Sequence, residues 1–266
     1  HFLRWYGALD RPLSEVQIND IDTYLATHGA KAWSRITVAL RASVLRSFFR
    51  HAARRGWCRS SVADAIQGPR LFRQENIPMG PSWEEVQRLL SSMDTNRPSD
   101  VRNRAMTMLF AIYGIRSGAV ANLQLEDIDW EHDQILVRRT KQRRSQTYPL
   151  VPAVGNAIIR YLKTVRPKCP RREVFLRLKA PFRPLSRGGL FHLVSDHMAK
   201  LGINPPHRGP HSLRHACATH LLAKNSSLKE IGDLFGHRRQ TTTQFYAKVD
   251  LNGLRKVATF DLGDVL

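Results

Sequence analysis

No apolar run in the sequence approaches the roughly 18 residues that a membrane-spanning helix needs, so a transmembrane helix is excluded. Cysteine is scarce. Cys58, Cys169 and Cys217 are far apart and odd in number, which argues against a disulfide framework and against a cysteine-rich zinc site. That scarcity favours a reducing, cytoplasmic setting. The opening stretch HFLRWYGALDR has no basic-then-apolar export pattern. It also lacks an initiator Met, so further residues are expected ahead of it. No solenoid-length repeat and no low-complexity tract is visible. The shortage with most consequence is of acidic residues: 22 Asp and Glu stand against 42 Lys and Arg, a formal charge of +20.

Such a surplus suits a polyanionic partner, in the first place nucleic acid, through counterion release at phosphates. Charge alone does not separate a DNA binder from an enzyme. At 266 residues, the chain can form one large domain or two ordinary ones. Its 42% hydrophobic and 24% charged residues are a globular composition rather than a disordered one.

Residues 1–67 read as all helix. Trp33, Ile36, Leu40, Val44 and Phe48 recur at three- and four-residue steps, which predicts one amphipathic stripe. Arg46, Arg50 and Arg54 form a second row at i, i+4, and Gly56 suits the position just past the helix end. That row reads as a solvated face, a phosphate-contacting face, or both. Residues 68–80, within QGPRLFRQENIPMGPS, carry Pro and Gly without periodicity and read as a linker.

A second domain is expected over 81–250. It opens with Ser82-Trp83-Glu84-Glu85, a capping box in which Ser82 and Glu85 satisfy each other's free amides. Ala105, Met108, Leu109 and Ile112 predict a helix that stops at Gly114. The period then changes: Ile128 to Trp130, Gln134 to Thr140 and Gln146 to Val151 read as short strands with a turn in KQRRS. Beyond Pro152 the pattern is helical again. Phe191, Val194, Met198 and Leu201 make one stripe, and Ser227 and Glu230 cap a helix bearing Leu228, Ile231 and Phe235. The fold class is therefore mainly α with a small antiparallel sheet, in two domains.

The HxxxH spacing in HSLRHACATHLL has the look of a zinc-protease helix, but that chemistry needs Glu after the first His, and Ser212 stands there. No metal site is expected. On a helix, His211 and Arg214 share a face at i, i+3, where a guanidinium fork and an imidazole suit a phosphate. A lone HxxR reads better as an ordinary surface helix. Likewise Tyr246 beside Phe245, taken alone, reads as a helix-face aromatic, and His215 and His220 read as satisfied polar groups.

Taken in order, Gly-Ile-Arg116, the hairpin Lys141, His211-x-x-Arg214, Gly-His237 and Tyr246 resemble the catalytic constellation of the tyrosine recombinases, the phage-integrase and Xer/Cre family. The flanking text HSLRHACATHLL and GHRRQTTTQFY, and Pro149-Leu150 after the hairpin, also match. The resemblance runs from about Ser82 to Lys248, and the helical segment 1–67 is similar, less closely, to the family's core-binding domain. It implies that Arg116 and Arg214 clamp the scissile phosphate, that Tyr246 attacks phosphorus, and that His211 takes the phenol proton. Lys141 then protonates the departing 5′ oxygen, while His237 bonds the phosphate or orients Tyr246. The product is a 3′-phosphotyrosyl link, with no metal or nucleotide cofactor, and the sequence offers neither a P-loop nor a carboxylate cluster.

The resemblance further implies double-stranded DNA with paired recombination sites as partner, a dimer on each site and a tetramer in the synapse. The tail 251–266, with Leu254, Val257 and Phe260 at three-residue steps, is expected to dock on a neighbouring protomer. Arg41, Arg46, Arg50 and Arg54 on the first domain, and Arg139, Arg143 and Arg144 around the hairpin, are the candidate DNA contacts. Two positions depart from the pattern. Ala119 stands where the family usually has Glu, and Phe235 replaces the Leu before Gly-His. The main expectation is a site-specific recombinase, such as the integrase or resolvase of a mobile element. A type IB topoisomerase, with similar residues, and a degenerate DNA-binding relative are the alternatives.

Overall fold

A computed structural model of the chain describes residues 1–71, 80–139, 144–237 and 243–249; the side chains at 30–32, 139, 144, 245, 248 and 249 lie outside that description. The chain divides into two compact units, His1–Glu75 and Asn76–Leu266.

The first unit consists of α1 (Phe2–Gly7), α2 (Ile18–Ala32), α3 (Arg35–Arg54) and α4 (Ser61–Ala65), with a 3-10 turn at Leu13–Glu15. Ser34 starts α3 by accepting a hydrogen bond from the Thr37 amide. The core gathers Phe2, Tyr6, Ile21, Tyr24, Leu45, Phe49, Val62 and Ile66. Of the stripe expected on α3, only its two ends, Trp33 and Phe48, pack against this core. Ile36, Leu40 and Val44 are 53%, 62% and 56% exposed, while Ala42, Leu45, Phe49 and Ala52 face inward. A row at four-residue steps rotates by about 40° per step, so Ile36, Leu40 and Val44 lie within about 80° of one another, on the face opposite the inward row. The inward row alternates three- and four-residue steps instead. The same drift splits the arginine row. Arg46 turns inward, donating from Nε and Nη2 to the Ile66 carbonyl at 3.2 and 2.6 Å, whereas Arg50 and Arg54 are exposed.

The second unit contains α5 (Trp83–Ser92), α6 (Pro98–Tyr113), α7 (Ser117–Ala121), β1 (Ile128–Asp129), β2 (Gln134–Arg139), β3 (Arg144–Pro149), α8 (Pro152–Thr164), α9 (Arg187–Lys200), α10 (Pro210–Ala223) and α11 (Leu228–Phe235), then a 3-10 helix at Gln244–Val249. The Ser82–Glu85 capping box forms in both directions, at 3.2 and 2.8 Å. Helix α6 is buried on all sides from Ala105 through Ala111, as befits a helix that is apolar all round. On α9 the inward residues are Leu190, Leu193, Val194 and Met198; Phe191, expected in that stripe, is exposed because it sits about 100° around the helix from Leu190.

The three strands form an antiparallel sheet in the order β1-β2-β3, with Ile135 opposite Tyr148 and the ladder running out to Arg139 opposite Arg144. Strand β3 is tied to the end of α11. Tyr148 Oη donates to the Leu234 carbonyl at 2.8 Å, and Gln146 Nε2 donates to the Asp233 and Leu234 carbonyls. The other end of the strand meets α6, where Tyr113 Oη donates to the Pro149 carbonyl at 2.6 Å and accepts from the Val151 amide. Strand β3 is thereby fixed against the helix ends on which the candidate motifs lie. Among the described residues, no helix is long and apolar enough to cross a membrane.

Candidate active site

Helix α10 supplies the centre of the site. Gly209 precedes it with φ +98°, a conformation open to glycine, and Pro210 occupies the first turn, where its missing N–H costs nothing. Gly80 lies directly against its backbone: a Cβ there would stand 2.6 Å from both the Ser212 carbonyl oxygen and the Ala216 amide. His211, Arg214 and His215 sit at i, i+3 and i+4, so they leave the helix on one face.

Arg214 is only 5% exposed, and its fork is filled by groups from two distant motifs. Nη1 donates to the Gly114 carbonyl, two residues before Arg116. Nη2 donates to the Phe235 carbonyl at 3.1 Å and meets His237 Nε2 at 2.9 Å. The guanidinium carbon lies 3.9 Å from the centre of the Phe235 ring, a cation–π contact in a water-poor setting. Gly114 ends α6 with φ +58°, and a Cβ on it would come within 2.4 Å of that same ring. Phe235, which in the sequence is merely a larger substitute for Leu, is thus the floor on which Gly114 and Arg214 both rest.

Because a guanidinium only donates, His237 Nε2 accepts from Arg214, which places the ring proton on Nδ1. That nitrogen then donates to Thr243 Oγ1 at 2.7 Å. Thr243 is buried, and its hydroxyl lies where a Cβ on Gly232 would intrude at 2.9 Å. His237 therefore connects the arginine to the segment that carries Tyr246.

Tyr246 is 3% exposed, packed among Cys217, Ala218, Leu222, Ile231 and Phe235. Burial pushes its phenol up to about 12. The sequence assigned proton removal to His211, but the imidazole that meets the hydroxyl is His215: Tyr246 Oη lies 3.0 Å from its Nδ1. Burial first, then the charges of His211, Arg214 and His207, lower His215 to about 4, so it is neutral at ordinary pH. A phenol at about 12 does not give its proton to such a ring; the two share a hydrogen bond. His211 stands beside His215, ring centres 4.4 Å apart and edge to face, and is exposed. Loss of water around its ring and the charges of Arg214, His207 and Arg116 hold its pKa below the usual histidine value.

Arg116 is exposed and caps α7, and its charge is felt at His211. Ala119, where the family pattern has Glu, packs against the core, and its amide bonds the Arg116 carbonyl at 2.9 Å. The guanidinium of Arg187 lies over Gly118, with Nε 3.1 Å from where a Cβ would be. Among the described residues, neither Arg116 nor Arg187 has a carboxylate partner. Lys141 and Arg143 lie outside the described residues, as do the side chains of Arg139 and Arg144. Of the first-unit candidates, Arg41 sits 5.4 Å over the Trp33 ring and Arg46 serves the Ile66 carbonyl, leaving Arg50 and Arg54 exposed. His215, Thr243 and Phe235 are the site residues that sequence reasoning missed. The i, i+4 spacing from His211 was the available signal for His215, and Phe235 stood out only as a replacement for Leu; nothing local marked Thr243.

The sequence model of the phage integrase family matches residues 82–252. The integrase/recombinase y4rA of Sinorhizobium fredii is 41% identical over 217 residues, covering 81% of this chain and 53% of that protein. The chain thus spans about half the length of that relative. The tyrosine recombinase XerD of Mycobacterium tuberculosis is 30% identical over 259 residues, covering 92% of this chain and 82% of that one. The crystal structure of the XerH site-specific recombinase bound to a palindromic difH substrate, a post-cleavage complex, superposes with a TM-score of 0.74. It covers 92% of this chain and 72% of that one at 19% identity, a likeness of fold.

Proposed function

The chain belongs to the phage integrase family, and from that premise we propose that it is a site-specific tyrosine recombinase acting on double-stranded DNA. The observation that carries the reading is the convergence on Arg214: one guanidinium holds the Gly114 carbonyl beside Arg116 and the ring of His237, with Tyr246 in the adjoining cluster. Gly114 and Arg214 lie 100 residues apart in the sequence, so their contact is made by the fold rather than by local chain geometry, which supports one shared site.

In the proposed reaction, Tyr246 Oη attacks phosphorus and its proton passes to His211, forming a 3′-phosphotyrosyl link and releasing a 5′-hydroxyl. Charge spread over the non-bridging oxygens is stabilised by Arg116 and Arg214, in their proposed role as the phosphate clamp. His211, at the exposed end of the same turn, is the imidazole that a seated phosphate meets. Lys141 protonates the leaving 5′ oxygen. The broken bond's energy stays in the phosphotyrosyl link, and attack by a 5′-hydroxyl from a second duplex completes the exchange.

The test is a strand-exchange assay with two differently labelled duplexes carrying the same bound sequence. The reading expects joined molecules bearing both labels. Cleavage with resealing only within each duplex would instead indicate a topoisomerase. The assembly proposed on DNA is a dimer on each site and a tetramer in the synapse, with residues 251–266 docking on the neighbouring protomer. A chain ending at Lys248 that formed the same higher-order complexes would overturn that docking.

A further inference from the structure

We propose that His215 is the positioning residue for Tyr246, its Nδ1 accepting the phenol's hydrogen bond and so fixing where the attacking oxygen stands relative to Arg214. The proposal rests on the nucleophilic role given to Tyr246 above. Its basis is a buried pair whose hydroxyl and ring nitrogen lie 3.0 Å apart. The named apolar neighbours of the tyrosine ring, Ala218, Leu222, Ile231 and Phe235, set the plane of that ring but not the direction of its O–H. His215 supplies the direction.

Two features make the contact more than the satisfaction of a core histidine. First, His215 follows Arg214 immediately on α10, so the acceptor for the nucleophile and the arginine of the phosphate clamp share one helical turn. Their separation is fixed by helix geometry rather than by a loop, although Tyr246 itself comes from the separate 3-10 segment Gln244–Val249. Second, the ionisable groups that face the ring favour the neutral form. His211 abuts it at 4.4 Å, and Arg214 and His207 act in the same sense, while Tyr246 contributes a neutral phenol. In the neutral tautomer whose proton sits on Nε2, Nδ1 is the acceptor that the phenol O–H meets. The imidazole thus orients the oxygen without carrying charge.

The test uses the full chain and two substitutions. His215→Phe keeps a ring but has no acceptor, whereas His215→Asn places an amide oxygen near the position of Nδ1. Duplexes recovered from a random-sequence pool by binding to the chain, each nicked at one position, trap the covalent adduct in a single turnover. The proposal expects His215→Phe to slow adduct formation by about 100-fold or more, a cost typical of a misplaced reacting group, with DNA affinity within about twofold. It expects His215→Asn to recover at least about tenfold of that loss. A Phe variant within about threefold of the parent, or an Asn variant no faster than Phe, would assign the residue to packing and overturn the proposal.

A second measurement needs neither activity nor a folded His215 variant. In the DNA-free parent, the imidazole nitrogen resonances of His215 report an accepting Nδ1, and Tyr246→Phe must shift them. Unmoved resonances would overturn the proposal. A parent that forms no adduct while those resonances do shift would instead overturn the nucleophile reading, with the hydrogen bond still standing.

Discussion

Arg214 and His237 meet through Nη2 and Nε2 at 2.9 Å, and the direction of that hydrogen bond fixes the imidazole's tautomer. A donor-only guanidinium forces Nε2 to accept, so Nδ1 donates to Thr243. The chain of contacts thus runs from the Gly114 carbonyl through Arg214 and His237 to the segment before Tyr246. Lys cannot reproduce it, because an ammonium has no planar fork. Arg214→Lys is expected to lower adduct formation by about 100-fold or more and to destabilise the second unit by about 1–3 kcal/mol through unpaired buried carbonyls. A denaturing gel and a urea melt would measure the two effects.

The Gly114–Phe235 contact predicts a coupled pair. Gly114→Ala adds a left-handed penalty and a methyl group within 2.4 Å of the Phe235 ring. The expected cost is about 2–4 kcal/mol. Phe235→Leu removes the ring edge, so the double variant should recover the clash but not the backbone penalty. Urea melts of the four-member cycle check this; additive losses would mean that the two positions do not meet.

Stability should fall on acidification. His215 titrates near 4 in the folded chain against an ordinary 6.5, so the unfolded chain takes up its proton first as pH drops. The contribution is fully present above about pH 6.5 and is lost progressively toward pH 4, to a total of roughly 3 kcal/mol. His211, lowered in the same direction, adds to it. At the other extreme Tyr246, raised to about 12 from 10, erodes stability between those values as the unfolded phenol ionises first. Denaturant melts at pH 7, 5.5 and 4.5 should show the acid slope, and His215→Asn should flatten it.

The arginines of α3 should separate by function. Arg46→Ala removes a charged donor from the Ile66 carbonyl and is expected to cost about 1.5–3 kcal/mol of stability in the first unit. Arg50→Ala and Arg54→Ala should leave stability within about 0.5 kcal/mol. Each of the two should reduce the salt dependence of DNA binding by about one unit of slope. Binding isotherms across a salt series, paired with melts, distinguish the two classes.

The parts of the fold written in short-range chemistry were legible in the sequence. The capping boxes at Ser82 and Ser227, the Gly114 stop and the antiparallel strands all rest on local residue preferences, and all form. The motif order also pointed to the family before any geometry was known. What the sequence did not disclose depends on rotation and on distance along the chain. The row Ile36–Leu40–Val44 faces solvent because the core takes the opposite face of α3, through Ala42, Leu45, Phe49 and Ala52. The partner of Tyr246 is one turn beyond His211, and only the packing of the 3-10 segment against α10 selects His215. Thr243 acquires its role solely by standing beside His237. The hairpin residue Lys141 and the tail from Leu251 lie outside the described residues.

The most direct measurement compares the parent chain with Tyr246→Phe on nicked duplexes, resolved on a denaturing gel. A covalent protein–DNA adduct with the parent and none with the variant, at equal DNA binding, is the predicted result. An adduct that persists in Tyr246→Phe, or none from a parent that binds the same duplex specifically, would contradict the assignment of Tyr246 as nucleophile.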